Sequence, residues 1–319
     1  MSYSRSAQEA SPQISITEKT RSSIEFRVTN ISRHFANALR RVMIAEIPTL
    51  AIETVEIMHN TSSLPDEYIA HRLGLIPFNS EHADEFNYYD GCDCIESGCS
   101  KCRVVYRLDV TCKEGSSYTV TTKDLQFVPP SEWDEDSQKS EVYKYHEDVR
   151  PVSLFTQKDN PEPEPIIIAK LGPGQHLKLV AFLQKGIGRV HSKWSPVSIS
   201  AYHQIADIKL KESFFNEMSS EIKQNIVNSC PQHIYKKGRD EKVLIDNIEE
   251  CTFCNQCIRE AEIHGVKDAI SIQSRRGQFI FNVEAVGQLL PEKIVEIGFR
   301  VLIEKLKKFE RDVEEAQNE

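Results

Sequence analysis

The residues of this 319-residue chain best suited to chemistry are its nine cysteines, and their spacing says more than their number. Seven fall in two tight runs, Cys92 to Cys102 and Cys251 to Cys257, while Cys112 and Cys230 stand alone. The first run, CDCIESGCSKC, places Cys92, Cys94, Cys99 and Cys102 within eleven residues, with gaps of one, four and two. Gaps that short let a loop fold around one tetrahedral ion. Four thiolates leave no open coordination position, so a structural zinc is expected, not one that activates water. Binding the ion would also order the loop that carries the ligands. The competing reading is a set of unliganded surface thiols, which would invite oxidation.

The second run, Cys251-x-x-Cys254-x-x-Cys257, has ferredoxin spacing, but Ala261 occupies the position where a continuous motif carries its fourth cysteine. Cys230-Pro231 supplies a remote Cys-Pro that could complete the set. A [4Fe–4S] cluster, a second zinc and buried cysteines without metal all remain open. No substrate-binding motif sits beside this group, so a structural role is expected ahead of electron transfer.

The composition narrows the setting. A formal charge of −9 argues against a broad nucleic-acid face, because backbone binding needs Lys and Arg to neutralise phosphates. The start, MSYSRSAQEASPQ, does not resemble a secretory signal, and no window reaches the roughly 18 apolar residues of a membrane-spanning helix. A soluble intracellular chain is expected, in which clustered cysteines serve metal ligation and not disulfides. His71 and Arg72 suggest catalysis at first sight, yet no nucleophile or second titrating group is near them in sequence, so packing or interface roles are expected. The basic and aromatic run Lys185 to Trp194 is similarly read as a contact to protein partners in preference to nucleic acid.

The elements that must hold these residues are legible in the hydrophobic pattern. Ile14 to Thr17 and Ile24 to Val28 alternate as a β-hairpin. Phe35, Leu39, Val42 and Met43 then form a helical stripe, with Ser32 placed to cap it and Pro48 to stop it. Leu50 to Met58 is strand-like, and Asp66 to Leu75 is a second helix. Val104 to Val110 and Tyr118 to Thr122 suggest a second sheet. Pro129 to Pro165, rich in Pro, Asp, Glu and Ser, reads as a mobile surface excursion. Ile166 to Ala169 and Leu177 to Phe182 return to strand, Glu212 to Val227 reads as one amphipathic helix, Phe279 to Val283 as a strand, and Pro291 to Val313 as a long helix. That last stripe, with Leu302 and Leu306, wants a partner.

The segments NISRHFANALRRVMIAEIPTLAIETVEI and DEYIAHRLGLIPF, the cysteine loop, KGIGRVHSKWSPVSISAY and GQFIFNVEAVGQLLPEKIVEIGFRVLIEKL together resemble the alpha-subunit-like family of cellular RNA polymerases. Within that family the position of the first cysteine loop, directly after HRLGLIP, and the short N-terminal lead look most like the third-largest subunits of the eukaryotic polymerase II class. The Cys230 to Cys257 group is similar instead to the archaeal members, whose extra domain carries an iron–sulfur cluster. The resemblance implies an α+β fold in two parts. Residues 12–55 and 266–315 form a discontinuous dimerisation domain, and residues 56–211 an inserted β-rich domain with the zinc loop at 91–103. Residues 212–265 form a small cysteine subdomain, and 1–11 and 316–319 are flexible tails.

The resemblance further implies a non-catalytic assembly subunit, nuclear, that pairs with a smaller alpha-like subunit. The pair then recruits the second-largest subunit and small zinc-containing subunits of a DNA-directed RNA polymerase. Phe35, Leu39, Leu302 and Leu306 are the candidate pairing residues, and Arg40 and Arg41 the candidate polar contacts, since a guanidinium fork gives register as well as energy. Alternatives are an alpha-like subunit of a polymerase I/III or archaeal-type enzyme and, from other classes, a ferredoxin-like redox protein or a free-standing zinc protein that binds regulatory factors.

Overall fold

The computed structural model describes residues 11–94, 98–113, 115–134, 141–153, 164–238 and 240–318. It is an α+β protein of helices and antiparallel sheets. Two compact units divide the chain: the described parts of Met1–Glu18, Glu25–Asn37 and Ala201–Asn282 form one, and Lys19–Ile24, Ala38–Ser200 and Val283–Glu319 the other.

The chain opens with the expected pair of strands, β1 (Gln13–Lys19) and β2 (Ser23–Thr29). Every residue of β1 is exposed, whereas β2 alternates buried and half-buried positions, the period-2 signature of a strand with one face on a core. Ser32 caps α1 (Arg33–Ala45) as its position implied, its hydroxyl accepting from the Phe35 N–H at 3.1 Å. The chain then leaves the helix, and β3 (Pro48–Asn60) begins at the expected proline, followed by α2 (Asp66–Gly74). Next come β4 (Val104–Thr111), β5 (Tyr118–Thr121), β6 (Gln126–Val128), β7 (Ile167–Leu171) and β8 (His176–Ile187).

In the larger unit, β3, β8, β4 and β6 form one sheet in that order, and β5 and β7 pair separately. The long central pairing runs from Pro48 opposite Ile187 to Asn60 opposite Leu177, with register shifts after Ile52 and Ile57. Ile69 and Leu73 of α2 join Leu50, Ile52, Val104, Leu108, Leu179 and Leu183 in a single buried cluster. Gly186 of β8 is required by space: a Cβ there would overlap the indole of Trp194. The described part of the acidic excursion departs from expectation. Residues 141–153 are packed, with His146 and Val149 buried and the Tyr106 hydroxyl donating to the Val149 carbonyl at 2.6 Å. Val142, Tyr145 and Val149 supply apolar surface that the polar composition around them concealed. The rest of that excursion, 135–140 and 154–163, lies outside the described residues, as do 95–97 of the first cysteine loop and 1–10 of the leading tail.

The smaller unit is entered along β9 (Val197–Leu210), which continues into α3 (Glu212–Glu217) and α4 (Ser220–Asn228). The single helix expected over Glu212 to Val227 is thus two. Met218 takes an extended conformation, and the Ser219 hydroxyl accepts from the Ile222 N–H, which starts a new helix instead of prolonging the old one. There follow β10 (Tyr235–Lys237), β11 (Val243–Ile245), α5 (Gln256–Ile263) and β12 (Ile270–Ala285). The strand expected over Phe279 to Val283 is only the end of β12, which lies between β2 and β9 in the sheet order β1-β2-β12-β9. Phe26 of β2 stacks on Phe281 of β12 at 5.0 Å, and Tyr202 of β9 packs on the same ring at 5.4 Å.

The chain ends in α6 (Pro291–Asn318), 28 residues long, which continues through the positions 316–318 expected as tail. Its first turns are embedded, with Ile294 and Ile297 buried. Gly298 permits close approach of α1, since a Cβ would lie 3.0 Å from Met43 Cγ and 3.4 Å from Leu39 Cδ1. Lys305 then ties to both carboxylate oxygens of Glu46 at 2.7 Å.

Candidate metal centres and a dimerisation face

The first cysteine group closes as its spacing predicted. The sulfurs of Cys92, Cys94, Cys99 and Cys102 all lie within 4.8 Å of one another. The close pairs are Cys92 to Cys99 and Cys94 to Cys102, each 3.6 Å, and Cys99 to Cys102, 3.9 Å. A four-thiolate site for an ion such as zinc, with bonds of about 2.3 Å, has tetrahedral edges of about 3.8 Å. The thiols therefore stand at liganding and not at disulfide separation.

The loop is held from outside as well as within. The Cys99 N–H donates to Cys102 Sγ at 3.4 Å, and the Cys102 and Arg103 N–H groups both donate to the Cys99 carbonyl at 3.0 Å. Between them, Ser100 is buried, its N–H donating to Asp134 Oδ2 at 2.7 Å. Its carbonyl accepts from His146 Nε2, also at 2.7 Å, which assigns the proton to that nitrogen. Burial holds His146 below the usual histidine range, opposed by the Ser100 contact and the Asp134 charge, so the ring is neutral. Arg103 lies over the rings of Tyr89 and Phe182 at 4.6 and 5.2 Å.

Thiols packed together without a counter-charge resist ionisation. Burial is the first cause pushing Cys99 up to about 11 and Cys102 upward as well. Burial also opposes ionisation of Cys92, but hydrogen bonds from the Cys94 backbone and from the Cys94, Cys99 and Asn87 side chains hold it at about 7. A divalent cation reverses this balance, because its charge stabilises every thiolate at once.

The second group is built differently. Cys230 follows α4, Cys251 and Cys254 lie in the loop before α5, and Cys257 is in its first turn; all four line one small cavity, with Ile234 and Ile272. Cys230, Cys251 and Cys257 are buried and Cys254 is exposed. Among the described residues only the Cys92 group closes tightly enough for a single ion. The loop carries two non-glycine residues in the left-handed region, Phe253 at φ 56° and Asn255 at φ 60°. A bulky residue there is strained, by roughly 1–2 kcal/mol. Backbone hydrogen bonding from Phe253 at Cys251, and from Ile258 at Cys257, favours the thiolate at each. Burial, ahead of the charges of the neighbouring thiols, pushes both thiols up. The buried Tyr235 hydroxyl donates to Cys257 Sγ at 3.3 Å.

Neither His146 nor Tyr235 stood out in the sequence. His146 is 44 residues from the nearest cysteine of its loop, and only the fold brings it there. Tyr235 lies between Cys230 and Cys251, so its place in a cysteine-bounded segment was the one available hint.

The remaining candidates fall on α1, α2, α6 and the run from the end of β8 to Trp194. Leu39 is fully buried within the chain, Phe35 and Arg40 are half-buried, and Arg41 is exposed. Leu302 is half-buried, while Leu306, Phe309 and Val313 are exposed. At about 100° per residue these four share an arc of about 60° on α6, an apolar stripe turned outward. Arg72 is used internally, donating to the Ile167 carbonyl at 2.7 Å, while His71 is exposed. In the basic run, Lys185 donates to the Phe86 carbonyl at 3.0 Å and Lys193 to the Ile52 carbonyl at 2.9 Å and to Glu53. Both lysines are committed within their own unit.

A cluster of four thiols and a terminal helix with an outward apolar stripe are thus the features of this chain best placed to hold a metal and to meet a partner. The family model described as the RNA polymerase Rpb3/Rpb11 dimerisation domain matches residues 25–306, and the chain belongs to that family. The chain is 38% identical over 298 residues to DNA-directed RNA polymerase II subunit rpb3 of Dictyostelium discoideum, covering 92% of each. It is 35% identical to subunit 3 of RNA polymerases II, IV and V of Arabidopsis thaliana, covering 92% of this chain and 89% of that one. It is also 32% identical to polymerase subunit Rpo3 of Methanosphaera stadtmanae, covering 92% and 95%.

Proposed function

We propose that this chain is the third-largest, non-catalytic assembly subunit of a nuclear DNA-directed RNA polymerase II. In this reading it pairs with a smaller alpha-like subunit and offers the pair as a platform to the second-largest subunit and to small zinc-containing subunits. The observation that carries the reading is the stripe Leu302, Leu306, Phe309 and Val313 on α6, half-buried at Leu302 and exposed at the other three, in a member of a dimerisation family. Apolar side chains at helical spacing on an extended helix are what a partner helix covers. Leu39 would support the face from α1, and Phe35, Arg40 and Arg41 of that helix are the further pairing candidates. The proposed dimerisation domain is residues 12–55 with 266–315; residues 56–211 form the inserted domain and 212–265 the cysteine subdomain. The sequence holds no Asp-x-Asp-x-Asp of the kind that polymerase active centres use for paired magnesium ions, which supports a subunit that does not itself polymerise.

Cys92, Cys94, Cys99 and Cys102 hold zinc in this reading, supported by their near-tetrahedral separations. Cys230, Cys251, Cys254 and Cys257 hold an iron–sulfur cluster. Four thiols lining a cavity without closing on one point suit a polynuclear group better than a second zinc, and the N–H groups turned on the sulfurs suit its negative charge. That second centre is also the observation favouring the alternative, an archaeal-type alpha-like subunit. Co-expression with a smaller alpha-like subunit tests the main reading: a 1:1 complex by light scattering is expected, with the single chain self-associating. A well-behaved monomer that ignores the smaller subunit refutes it, and the largest subunit recovered from native extract separates polymerase II from the alternative.

A further inference from the structure

Tyr235 occupies a position where a hydroxyl needs a reason. It is 2% exposed and packs in the core of the cysteine subdomain beside Ile234, Val243 and Ala261, where phenylalanine would meet the same apolar neighbours without burying a polar atom. A buried hydroxyl is unfavourable unless it is hydrogen-bonded, and the partner this one finds is a sulfur, Cys257 Sγ at 3.3 Å. The ring is rigidly placed. Tyr235 pairs with Ile245 in the β10–β11 ladder, and just beyond that pair the Asp246 N–H donates to the Ile234 carbonyl at 2.8 Å. Cys257 is equally fixed, in the first turn of α5 and itself buried.

We propose that Tyr235 is a positioning residue of the second cysteine centre, donating a hydrogen bond to the Cys257 thiolate that stabilises the reduced state of a bound iron–sulfur cluster. The inference rests on the reading of Cys230, Cys251, Cys254 and Cys257 as cluster ligands. Its physics is simple: a donor aimed at a cysteinate sulfur gains strength as the cluster and its thiolates take on negative charge, so it favours the reduced form and raises the potential. The Ile258 backbone also favours the Cys257 thiolate, but a backbone donor is present whatever the side chain. Tyr235 is the tunable contribution. It also lies on the buried side of the centre, opposite in character to the exposed Cys254.

The test uses the full chain, co-expressed with its smaller alpha-like partner and purified anaerobically. Tyr235→Phe removes the hydroxyl and little else. The iron and sulfide content should stay at the wild-type level, while the oxidised-to-reduced ratio at a fixed potential shifts about tenfold toward oxidised, about 59 mV for a one-electron couple. Because a phenylalanine variant could fail to fold, site-specific 3,5-difluorotyrosine at position 235 provides the opposite arm: the ring is kept, the hydroxyl is a stronger donor, and the potential should move the other way. An unchanged potential in both variants at full iron content overturns the role of Tyr235 alone. A wild-type protein that is colourless and iron-free overturns the cluster reading and this inference with it.

Discussion

Replacing Leu306 and Phe309 together by alanine perturbs the proposed pairing face and leaves the chain's own core intact, because both side chains point away from it. Leu306 is 62% exposed and Phe309 67%. A Leu or Phe fully withdrawn from water contributes about 1.5–3 kcal/mol; scaled by the area these two still offer, the pair represents about 2–4 kcal/mol of the association. At about 1.4 kcal/mol per tenfold, the double variant should dissociate from the smaller alpha-like subunit at concentrations roughly 30- to 1000-fold higher. Mass photometry of the co-expressed complex on serial dilution reads that shift directly and avoids handling the single chain. Ile263→Ala, at a side chain 75% exposed at the end of α5, is the control and should dissociate as wild type does. A double variant within threefold of wild type refutes the argument, since the stripe would then lie outside the interface.

The first cysteine group and the fold make further predictions. Cys94→Ser with Cys99→Ser leaves two of four thiolates, and elemental analysis should show zinc falling from one ion per chain to none; retained zinc sinks the site. His146→Gln should lower the melting temperature by the equivalent of about 1–3 kcal/mol, the usual effect of unpairing a buried carbonyl, here that of Ser100. Its pH dependence is equally specific. The folded-state value lies below the unfolded value of about 6.5, so neutral His146 stabilises the protein fully above that pH, and the benefit is lost as pH falls below it. Wild type should therefore lose more stability between pH 7.5 and 5.5 than His146→Gln, as measured by thermal melts; equal losses would remove His146 from the account. Gly186→Ala forces a methyl into the Trp194 indole and should cost about 1–3 kcal/mol, with Trp194 fluorescence shifted; an unchanged melting temperature would show that the ring gives way freely.

Much of the framework was legible because local physics decides it. Four cysteines in eleven residues have little choice but to meet, and Ser32 before an apolar helical stripe caps that helix as its hydroxyl requires. The failures arose where tertiary context outweighed pattern. One amphipathic run became α3 and α4 because Ser219 offers a fresh cap in the middle of it. The first half of β12, ISIQSRRGQ, has no clean alternation, since pairing in the middle of a sheet, and not burial of a face, keeps it extended. The packed turn at 141–153 was hidden by its polar composition, although Val142, Tyr145 and Val149 were visible within it. His146 and Tyr235 belong to a different category. Their roles depend on contacts across the fold, and a single sequence carries no signal for such pairings.

The length of α6 has a consequence of its own. At about 1.5 Å per residue its 28 residues make a rod of about 42 Å, and burial ends near Ile297. Beyond Lys305 the helix is a cantilever of some dozen residues with its side chains in water, close to the length at which isolated helices are marginal. Its order is then conditional, firm when a neighbour lies along it and frayed when none does. An orphaned copy would display a loosening, apolar end, a feature by which surveillance proteases recognise unfinished work. Completing the complex would remove that mark by covering it, so the same residues that recruit a partner would report whether one has arrived.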